Sequence, residues 1–371
     1  MAGPREADHR LGGQLMRPLF VLVPSLVPTG PIKGAVALCN ALAAHFDVTL
    51  VALKRSPDYP GPIDPRVRQV RLAEAGGWRA YRRMLQQAGG RPRVLSLSFC
   101  FSADVVNFLV RRNAVTVSSI RGHLPHVYQI DYGWLGKLLA ILHYRVAGCL
   151  DQAVAMTQRM AAEFESITGR TPSVIGNFVD EGRLEPLRTA TDPKKNPQPA
   201  GFRYVFVGRL DPLKSPGLVI EAVCSMVSQG IDCSLDVFGD GPLMTTLCSQ
   251  VAAQGFVNHV RFHGQVSVPW ERAAVADCLV LPSMTEGVSR AAMEALYLGI
   301  PCVMRDVDSN ADLIQGGENG ILFTHDSTLC EAMKQAALLG RRLAATRPVL
   351  LGDLFRETAC VAGFRELLQN L

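Results

Sequence analysis

The chain lacks several features that would point to a membrane or secreted protein. It has no uninterrupted apolar run of about eighteen residues, so a membrane-spanning helix is not expected. Residues 1–16 have no apolar stretch of the signal-peptide kind and are expected to be a disordered leader that ends at Met16. The ten cysteines form no C-x-x-C pair, and several lie in apolar runs. This pattern indicates reduced, buried thiols in a cytoplasmic protein.

Charged residues make up only 19% of the chain, against 48% hydrophobic residues, which is typical of a globular protein. The charge is unevenly placed. Residues 1–190 hold 23 Lys and Arg against 14 Asp and Glu, and the remainder hold 15 against 19. A basic first half favours an anionic partner, or it is a solvated basic surface without one. We expect no nucleic-acid partner.

Short apolar strands alternate with helical segments along most of the chain. Strands are expected at 18–24, 48–53, 94–99 and 115–120, and a second series begins at residue 202. Alternation of this kind favours an α/β fold with parallel sheets. The polar, Pro-rich stretch before the second series predicts a linker.

A chain of 371 residues is long enough for two domains, and a cleft between two such domains is a favoured ligand site. The expected organisation is a leader at 1–16, a first domain at 17–185, a linker at 186–201, a second domain at 202–350 and a C-terminal helix at 351–371.

Two glutamates, Glu286 and Glu294, stand eight residues apart in the segment TEGVSRAAMEAL. A strand precedes the segment and another follows it, so the first glutamate lies on a loop and the second inside a helix. A loop that opens a helix offers free backbone N–H groups to an anion, and a nearby carboxylate can bind sugar hydroxyls. The segment therefore predicts a sugar-nucleotide pocket.

The segment VFVGRLDPLKS places Gly208, Arg209 and Lys214 directly after a strand. Arginine and lysine on one strand-to-helix loop can converge on a diphosphate. The alternative is a surface loop with ordinary charges. The nearby FGDGP at 238–242 is not a dinucleotide-binding fingerprint and is expected to be a tight turn.

In the first expected domain, Gly30 lies on a loop between a strand and a helix, where a backbone can approach a ligand closely. Arg121, His123 and His126 follow another strand end, a position where ligands bind in open α/β sheets. The alternatives are a plain turn and a structural histidine.

The sequence Asp306-Val307-Asp308 formally matches a D-x-D metal and diphosphate motif. We interpret it as a turn, because Arg209 and Lys214 already supply positive charge and the aspartates lie beyond the helix of the glutamate pair. No metal and no resident cofactor are expected.

Several motifs occur in one order: GRLDPLKS, FGDGP, FHGQV, PSMTEGVSRAAMEALYLGIPCV and ENGILF. In that order they resemble the retaining family 4 glycosyltransferases of GT-B fold, the glycosyl transferases group 1. The resemblance is strong over residues 150–325 and weak in the first domain. It implies two Rossmann-like parallel-sheet domains that face each other across a cleft, with the C-terminal helix returning to the first domain.

The resemblance also implies roles for individual residues. Arg209 and Lys214 would bind the diphosphate of a nucleotide-sugar donor, Glu294 the ribose, and Glu286 the donor sugar at the reacting centre. Arg121 stands where the family often has a histidine, with His123 two residues later, so both are candidate catalytic residues. The remaining implied donor-binding residues are Gly30, Gly208, Gln265, Val266, Gly287, Val288 and Ser289.

The expected activity is retaining transfer of a sugar from a UDP- or GDP-sugar to a glycan acceptor, in lipopolysaccharide, capsule or other cell-envelope polysaccharide synthesis. A lipid-linked acceptor is expected if the basic first domain and the apolar segment Trp134–Leu150 rest on the inner face of an anionic plasma membrane. The alternative for that segment is a helix of the protein core. A soluble small-molecule acceptor, a sugar-nucleotide epimerase and a non-catalytic binding module remain alternatives.

Overall fold

The computed structural model describes residues 10–11, 14–90, 93–190 and 201–371. The chain folds into two compact units. The first runs to Asn177 and also includes Thr358–Leu371, and the second is Phe178–Glu357. Most of the expected leader (1–9 and 12–13) and most of the expected linker (191–200) lie outside the described residues. Within that leader, Arg10–Leu11 (β1) pairs antiparallel with Gln14–Leu15 (β2), so these four residues differ from the expected disorder.

The first unit is built on a seven-stranded sheet in which every neighbouring pair is parallel. Its strands, in chain order, are β3 (Pro18–Val23), β4 (Asp47–Ala52), β5 (Arg68–Arg71), β6 (Leu95–Phe99), β7 (Val115–Ile120), β8 (Gln152–Ala155) and β9 (Ser173–Val174). The spatial order is β5-β4-β3-β6-β7-β8-β9. The central strands are buried over almost their whole length, as expected for a parallel sheet.

The second unit has a six-stranded parallel sheet. Its strands are β10 (Phe202–Val207), β11 (Cys233–Phe238), β12 (Val260–Gly264), β13 (Cys278–Leu281), β14 (Cys302–Arg305) and β15 (Gly320–Phe323). The spatial order β12-β11-β10-β13-β14-β15 means that the chain builds outward from the centre in both directions.

Helices connect the strands in both units. In chain order they are α1 (Gly30–Leu42), α2 (Leu72–Ala75), α3 (Gly77–Gln87), α4 (Phe101–Val110), α5 (Leu124–Tyr132), α6 (Trp134–Gly148), α7 (Gln158–Thr168), α8 (Glu181–Ala190), α9 (Pro216–Ser228), α10 (Met244–Ala253), α11 (Trp270–Ala273), α12 (Arg290–Tyr297), α13 (Asn310–Leu313), α14 (Leu329–Leu343) and α15 (Glu357–Asn370). Two short 3₁₀ turns, Asp326–Thr328 and Asp353–Phe355, precede α14 and α15. This arrangement confirms the expected pair of parallel-sheet α/β domains.

The C-terminal helix belongs to the first unit, as expected. Phe364 and Leu368 of α15 are buried there, and the Arg17 guanidinium donates to the Leu368 carbonyl at 2.9 Å. The helix begins at Glu357, six residues after the expected start at 351.

The boundary between the units falls between Asn177 and Phe178, before the expected end of the first domain at 185. The expected linker begins at residue 186, in the middle of α8, which is helical in spite of its Pro186. Contacts within the second unit hold this helix, because the Tyr297 hydroxyl donates to Glu185 at 3.0 Å and the Arg188 guanidinium donates to the Arg347 carbonyl at 2.9 Å.

All ten cysteines are free thiols, and six of them are buried. Burial raises the pKa of the Cys278 thiol well above its ordinary value. Within the described part of the chain, no helix is both long and apolar enough to cross a bilayer.

Candidate functional site

The middle of the second sheet is a topological switch point. β10 and β13 pair there, with Tyr204 opposite Cys278, while the chain leaves β10 toward one edge and β13 toward the other. The loops after these two strands therefore meet at the carboxyl edge of the sheet, the place where open α/β sheets bind ligands. The loop after β10 carries Arg209 and Lys214, and the loop after β13 carries Glu286.

The structure brings Lys214 and Glu286 into direct contact. The Lys214 ammonium donates to a carboxylate oxygen of Glu286 at 2.5 Å, and the buried Ser283 hydroxyl donates to the same oxygen at 2.8 Å. The Glu286 side chain is only 8% exposed, so it requires a charged or hydrogen-bonding partner. The two loops are also joined by the Met284 amide, which donates to the Leu213 carbonyl at 2.8 Å.

Arg209 and Lys214 differ in how they are held. The Arg209 side chain is 71% exposed and lies 3.5 Å from Asp211. Asp211 also accepts a hydrogen bond from the Lys214 backbone amide at 3.0 Å, which fixes the loop from which Lys214 projects. The Arg209 side chain is thus accessible to a ligand from solvent, whereas the Lys214 side chain is oriented by its neighbours.

Asp308 fixes the loop that carries Glu286. One of its carboxylate oxygens accepts from the Thr285 hydroxyl at 2.5 Å and from the Glu286 backbone amide at 2.9 Å. Asp308 has a φ of 47°, in the left-handed region that is uncommon for residues other than glycine. The interpretation of the D-x-D sequence as a turn is compatible with this geometry, but it overlooked the positioning role of Asp308.

The small-residue turn of the motif leads into α12. The Ser289 hydroxyl caps this helix by accepting from the Ala292 amide at 3.4 Å. Gly287 is half-buried, and Val288 and Ser289 are buried. Because the turn lies between Glu286 and the first turn of α12, its backbone can face a ligand held by Lys214.

Glu294 lies inside α12 and has different partners from Glu286. The indole N–H of the buried Trp270 donates to one of its oxygens at 2.7 Å, and the Arg290 guanidinium lies 3.7 Å from the other. Trp270 begins α11, a few residues after Gln265 and Val266. Gln265 is exposed and Val266 half-buried at the end of β12. The Trp270 contact was not foreseen, because nothing in the sequence pattern pairs two residues on separate helices.

Glycines allow the loops after β10 and β11 to interlock. A Cβ on Gly239, whose φ is 142°, would lie 1.8 Å from the Gly208 carbonyl oxygen, and one on Gly241 would lie 2.4 Å from the Leu210 carbonyl oxygen. Backbone hydrogen bonds run between the same loops, from the Leu210 amide to the Asp240 carbonyl and from the Leu243 amide to the Leu210 carbonyl, both at 3.0 Å. The expected tight turn thus supports the segment that carries Arg209.

In the first unit, Arg121 lies against the beginning of α1. Its guanidinium donates to Asn177 at 3.1 Å and stacks over the Phe99 ring at 4.6 Å. A Cβ on Gly34 would lie 3.3 Å from the Asn177 side chain and 3.8 Å from the Arg121 guanidinium. Gly30, one turn earlier, is exposed at the start of the helix with nothing within 4 Å of its Cβ position. The structure therefore groups Arg121 and Gly30 at one end of this unit.

His123 is buried, and its ring bonds to Glu163 of α7 at 2.7 Å. The Tyr144 hydroxyl donates to the other Glu163 oxygen at 2.6 Å. Burial, followed by the nearby Glu163 charge, raises the pKa of Tyr144, so that its hydroxyl stays protonated and donates. At the end of β6, Cys100 has a φ of 71°, and burial raises its pKa to about 12.

No metal cluster is evident in residues 10–11, 14–90, 93–190 and 201–371, where no three His, Cys, Asp or Glu side chains are placed to share an ion.

Comparison with known proteins finds a family model that matches part of the second unit. Residues 188–339 match the model of the glycosyl transferases group 1. A D-inositol 3-phosphate glycosyltransferase from Jonesia denitrificans is 29% identical over 188 residues, which cover 46% of this chain and 44% of the relative. The chain spans about half the length of the curated relatives it matches.

Solved structures extend the likeness to the whole fold. The Anabaena HepE structure in complex with UDP and glucose has a TM-score of 0.72 at 16% identity and covers 96% of this chain and 100% of its own. The apo form of WaaB, a lipopolysaccharide outer core galactosyltransferase, also has a TM-score of 0.72, at 15% identity, and covers 96% and 100%. These likenesses confirm the expected GT-B fold.

Proposed function

We propose that the chain is a retaining glycosyltransferase that moves a sugar from a nucleotide-diphosphate donor to a glycan acceptor. The observation that carries this proposal is the contact between Lys214 and Glu286 at the switch point of the second sheet. Lys214 supplies a cation suited to a diphosphate, and Glu286 supplies a carboxylate suited to a sugar. The two groups lie within hydrogen-bonding distance of each other. The family match over residues 188–339 supports the same assignment.

In the proposed reaction, the bond between the anomeric carbon of the sugar and the donor phosphate oxygen breaks, and a bond from that carbon to the acceptor oxygen forms. The acceptor proton goes to the departing phosphate oxygen on the same face, which retains the configuration. Arg209 and Lys214 stabilise the negative charge that grows on the diphosphate. Glu286 lies beside the anomeric carbon, where positive charge develops.

The other donor contacts form part of the same proposal. Glu294, oriented by Trp270, binds the ribose hydroxyls. The backbone of Gly287, Val288 and Ser289 binds the sugar and phosphates at the start of α12, and Gln265 and Val266 lie beside the base. We assign the leaving-group charge to the two basic side chains, so the proposal includes no metal and no resident cofactor. Because HepE was solved with UDP and glucose, UDP-sugars are the first donors to test.

Arg121, His123 and Gly30 are proposed to serve the same reaction from the first unit. Arg121 combines a fixed orientation, through Asn177 and Phe99, with partial exposure, which suits a contact to donor or acceptor oxygens. His123 is buried and bonded to Glu163, which suits a supporting position better than a mobile proton carrier.

The proposed setting is cytoplasmic synthesis of a cell-envelope polysaccharide, because a relative in fold, WaaB, is by its title a lipopolysaccharide outer core galactosyltransferase. A soluble small-molecule acceptor is the second candidate. It is favoured by the match to a D-inositol 3-phosphate glycosyltransferase, whose name describes a small phosphorylated acceptor.

Product analysis tests these proposals. The purified chain is incubated with UDP- and GDP-sugars and with lipid-linked, oligosaccharide and small-molecule acceptors, and products are followed by mass spectrometry and NMR. A new glycosidic bond with the donor's anomeric configuration, and one nucleoside diphosphate released per bond, is the expected result. Inversion would overturn retention, an isomerised donor would indicate an epimerase, and binding without turnover would indicate a binding module.

A parallel reaction with a chelator should proceed at the same rate. A loss of activity that a divalent ion restores would overturn metal independence.

A further inference from the structure

The outer face of α6 carries a dense group of large apolar side chains. Trp134 is 84% exposed and Leu138 64% exposed. The group, called here the α6 face, is completed by three residues at helical spacing that are 36–48% exposed, Leu135, Ile141 and Leu142. On a helix of 15 residues, an apolar stripe of this kind normally faces a core or a partner.

The inner side of the same helix is already fully engaged, so a simple rotation cannot bury the α6 face. A Cβ on Gly136 would lie 2.0 Å from the Tyr128 carbonyl oxygen, which shows how closely α6 packs on α5. The His143 ring bonds to the buried Asp104 of α4 at 2.7 Å and to the Tyr128 hydroxyl at 2.9 Å. Tyr144 bonds to Glu163 of α7 at 2.6 Å. Polar and close-packed contacts on three neighbouring helices thus fix which side of α6 faces outward.

The charged residues within α6 itself, Lys137 and Arg145, are both basic, while Asp131 precedes the helix and Asp151 follows it. Residues 132–150 contain no Asp or Glu, while Lys137 and Arg145 are both exposed on α6. α4 packs on both α3 and α6, so these three helices lie in one layer over the first sheet. α3 adds Arg79, Arg82 and Arg83, all exposed, beside the 39% exposed Trp78. Apolar side chains bordered by cations match the interface of an anionic bilayer, with its acyl region and its negative headgroups.

We propose that the α6 face is a docking surface for an anionic lipid bilayer, with α6 lying in the plane of the interface. Trp134, Leu138 and Leu142 enter the acyl boundary, and Lys137, Arg145 and the α3 arginines contact lipid phosphates. The helix, about 22 Å long from its 15 residues, lies on the bilayer and does not cross it. This proposal does not depend on the transfer reaction.

Vesicle co-sedimentation of the full chain tests the proposal. The vesicles are phosphatidylcholine alone, or phosphatidylcholine and phosphatidylglycerol in equal parts. We expect the partition coefficient to be at least about tenfold higher on the anionic vesicles and to fall as salt rises. Leu138→Ser with Leu142→Ser should lower it by about tenfold or more, and Lys137→Glu should lower it on anionic vesicles only. The matched control is Leu338→Ser on α14, where the leucine is 54% exposed, and it should bind as the parent does.

Fluorescence quenching by brominated lipids locates the contact. Trp134 should be quenched, and Trp134→Phe should remove most of the quenching, whereas Trp270 is buried and should not respond. Circular dichroism of each variant establishes that a loss of binding is not a loss of fold. Equal binding by the double-serine variant, or quenching that Trp134→Phe leaves undiminished, would overturn the proposal. Dimerisation in solution that the double-serine change abolishes, without vesicle binding by the parent, would assign the face to a second copy of the chain instead.

Discussion

At the residue scale, the contact between Lys214 and Glu286 solves a physical problem that the site creates. A carboxylate that is 8% exposed is costly unless paired, and here Lys214 and Ser283 both donate to it. Asp308 holds the backbone from which Glu286 projects, at 2.9 Å from its amide. The position of Glu286 is therefore set from two directions, which is what a group beside a reacting centre needs.

Removing single groups from this site should lower the catalytic rate without unfolding the protein. Lys214→Ala and Glu294→Ala should each lower kcat/KM by about 10²–10³, because the first removes charge stabilisation at the diphosphate and the second removes the ribose ligand. Lys214→Ala also leaves Glu286 with Ser283 as its side-chain donor. Steady-state kinetics and thermal unfolding measure both effects. Lys334→Ala on α14, outside the loops of the site, is the control and should behave as the parent. Near-full turnover in both site variants would contradict the assignment.

The sequence predicted some of these residues and missed others for a clear reason. Lys214 and Glu286 follow strands directly, and the carboxyl ends of adjacent parallel strands must meet at one edge. Asp308 is 22 positions from Glu286, and Trp270 is 24 from Glu294. These pairs depend on a left-handed turn at Asp308 and on the placement of a four-residue helix, and neither feature has a periodic signal in the sequence.

At the scale of elements, the proposed donor site rests on interlocked loops more than on any single helix. The loops after β10 and β11 approach so closely that Gly239 and Gly241 have no room for a side chain beside the Gly208 and Leu210 carbonyls. The segment bearing Arg209 is therefore held by backbone contacts. Strands and most helices were predictable from alternating apolar runs, whereas α8 was not. Its Pro186 and polar residues are typical of a linker, and only contacts such as Tyr297 to Glu185 explain why it is helical.

Gly239→Ala should destabilise this pair of loops and weaken donor binding. A methyl group would have to move away from the Gly208 carbonyl, and a φ of 142° is strained for alanine, at a cost of about 1–3 kcal/mol before any loop shift. We expect a lower midpoint of chemical unfolding, faster hydrogen exchange over residues 208–214 and a raised donor KM. Gly255→Ala is the matched control, because its φ is also positive at 78° but nothing lies within 4 Å of its Cβ. If the two variants had the same exchange rates and KM, the interlock would have no role in the site.

At the scale of the whole molecule, the first unit is completed by the far end of the chain. Cys360 donates to the Asn177 carbonyl, Arg17 donates to the Leu368 carbonyl, and a Cβ on Gly363 would lie 3.3 Å from Ile175. The unit that contains the α6 face and Arg121 therefore cannot form its full core until α15 is in place. Its stability depends on residues that lie 180 or more positions away from the strands they cover.

Phe364→Ala tests this dependence. Phe364 is 1% exposed within the first unit, so truncation should cost about 3–5 kcal/mol of unfolding free energy through lost burial and the cavity left behind. Hydrogen exchange should speed up across β3 and β9 of the first unit, while β10, β13 and the loop of Lys214 keep their protection. Gln369→Ala, at an exposed position of the same helix, is the control and should change neither the unfolding free energy nor the exchange rates. Equal loss of protection in both units would mean that α15 supports the chain as a single cooperative body, and no loss in either would mean that the first unit is complete without it.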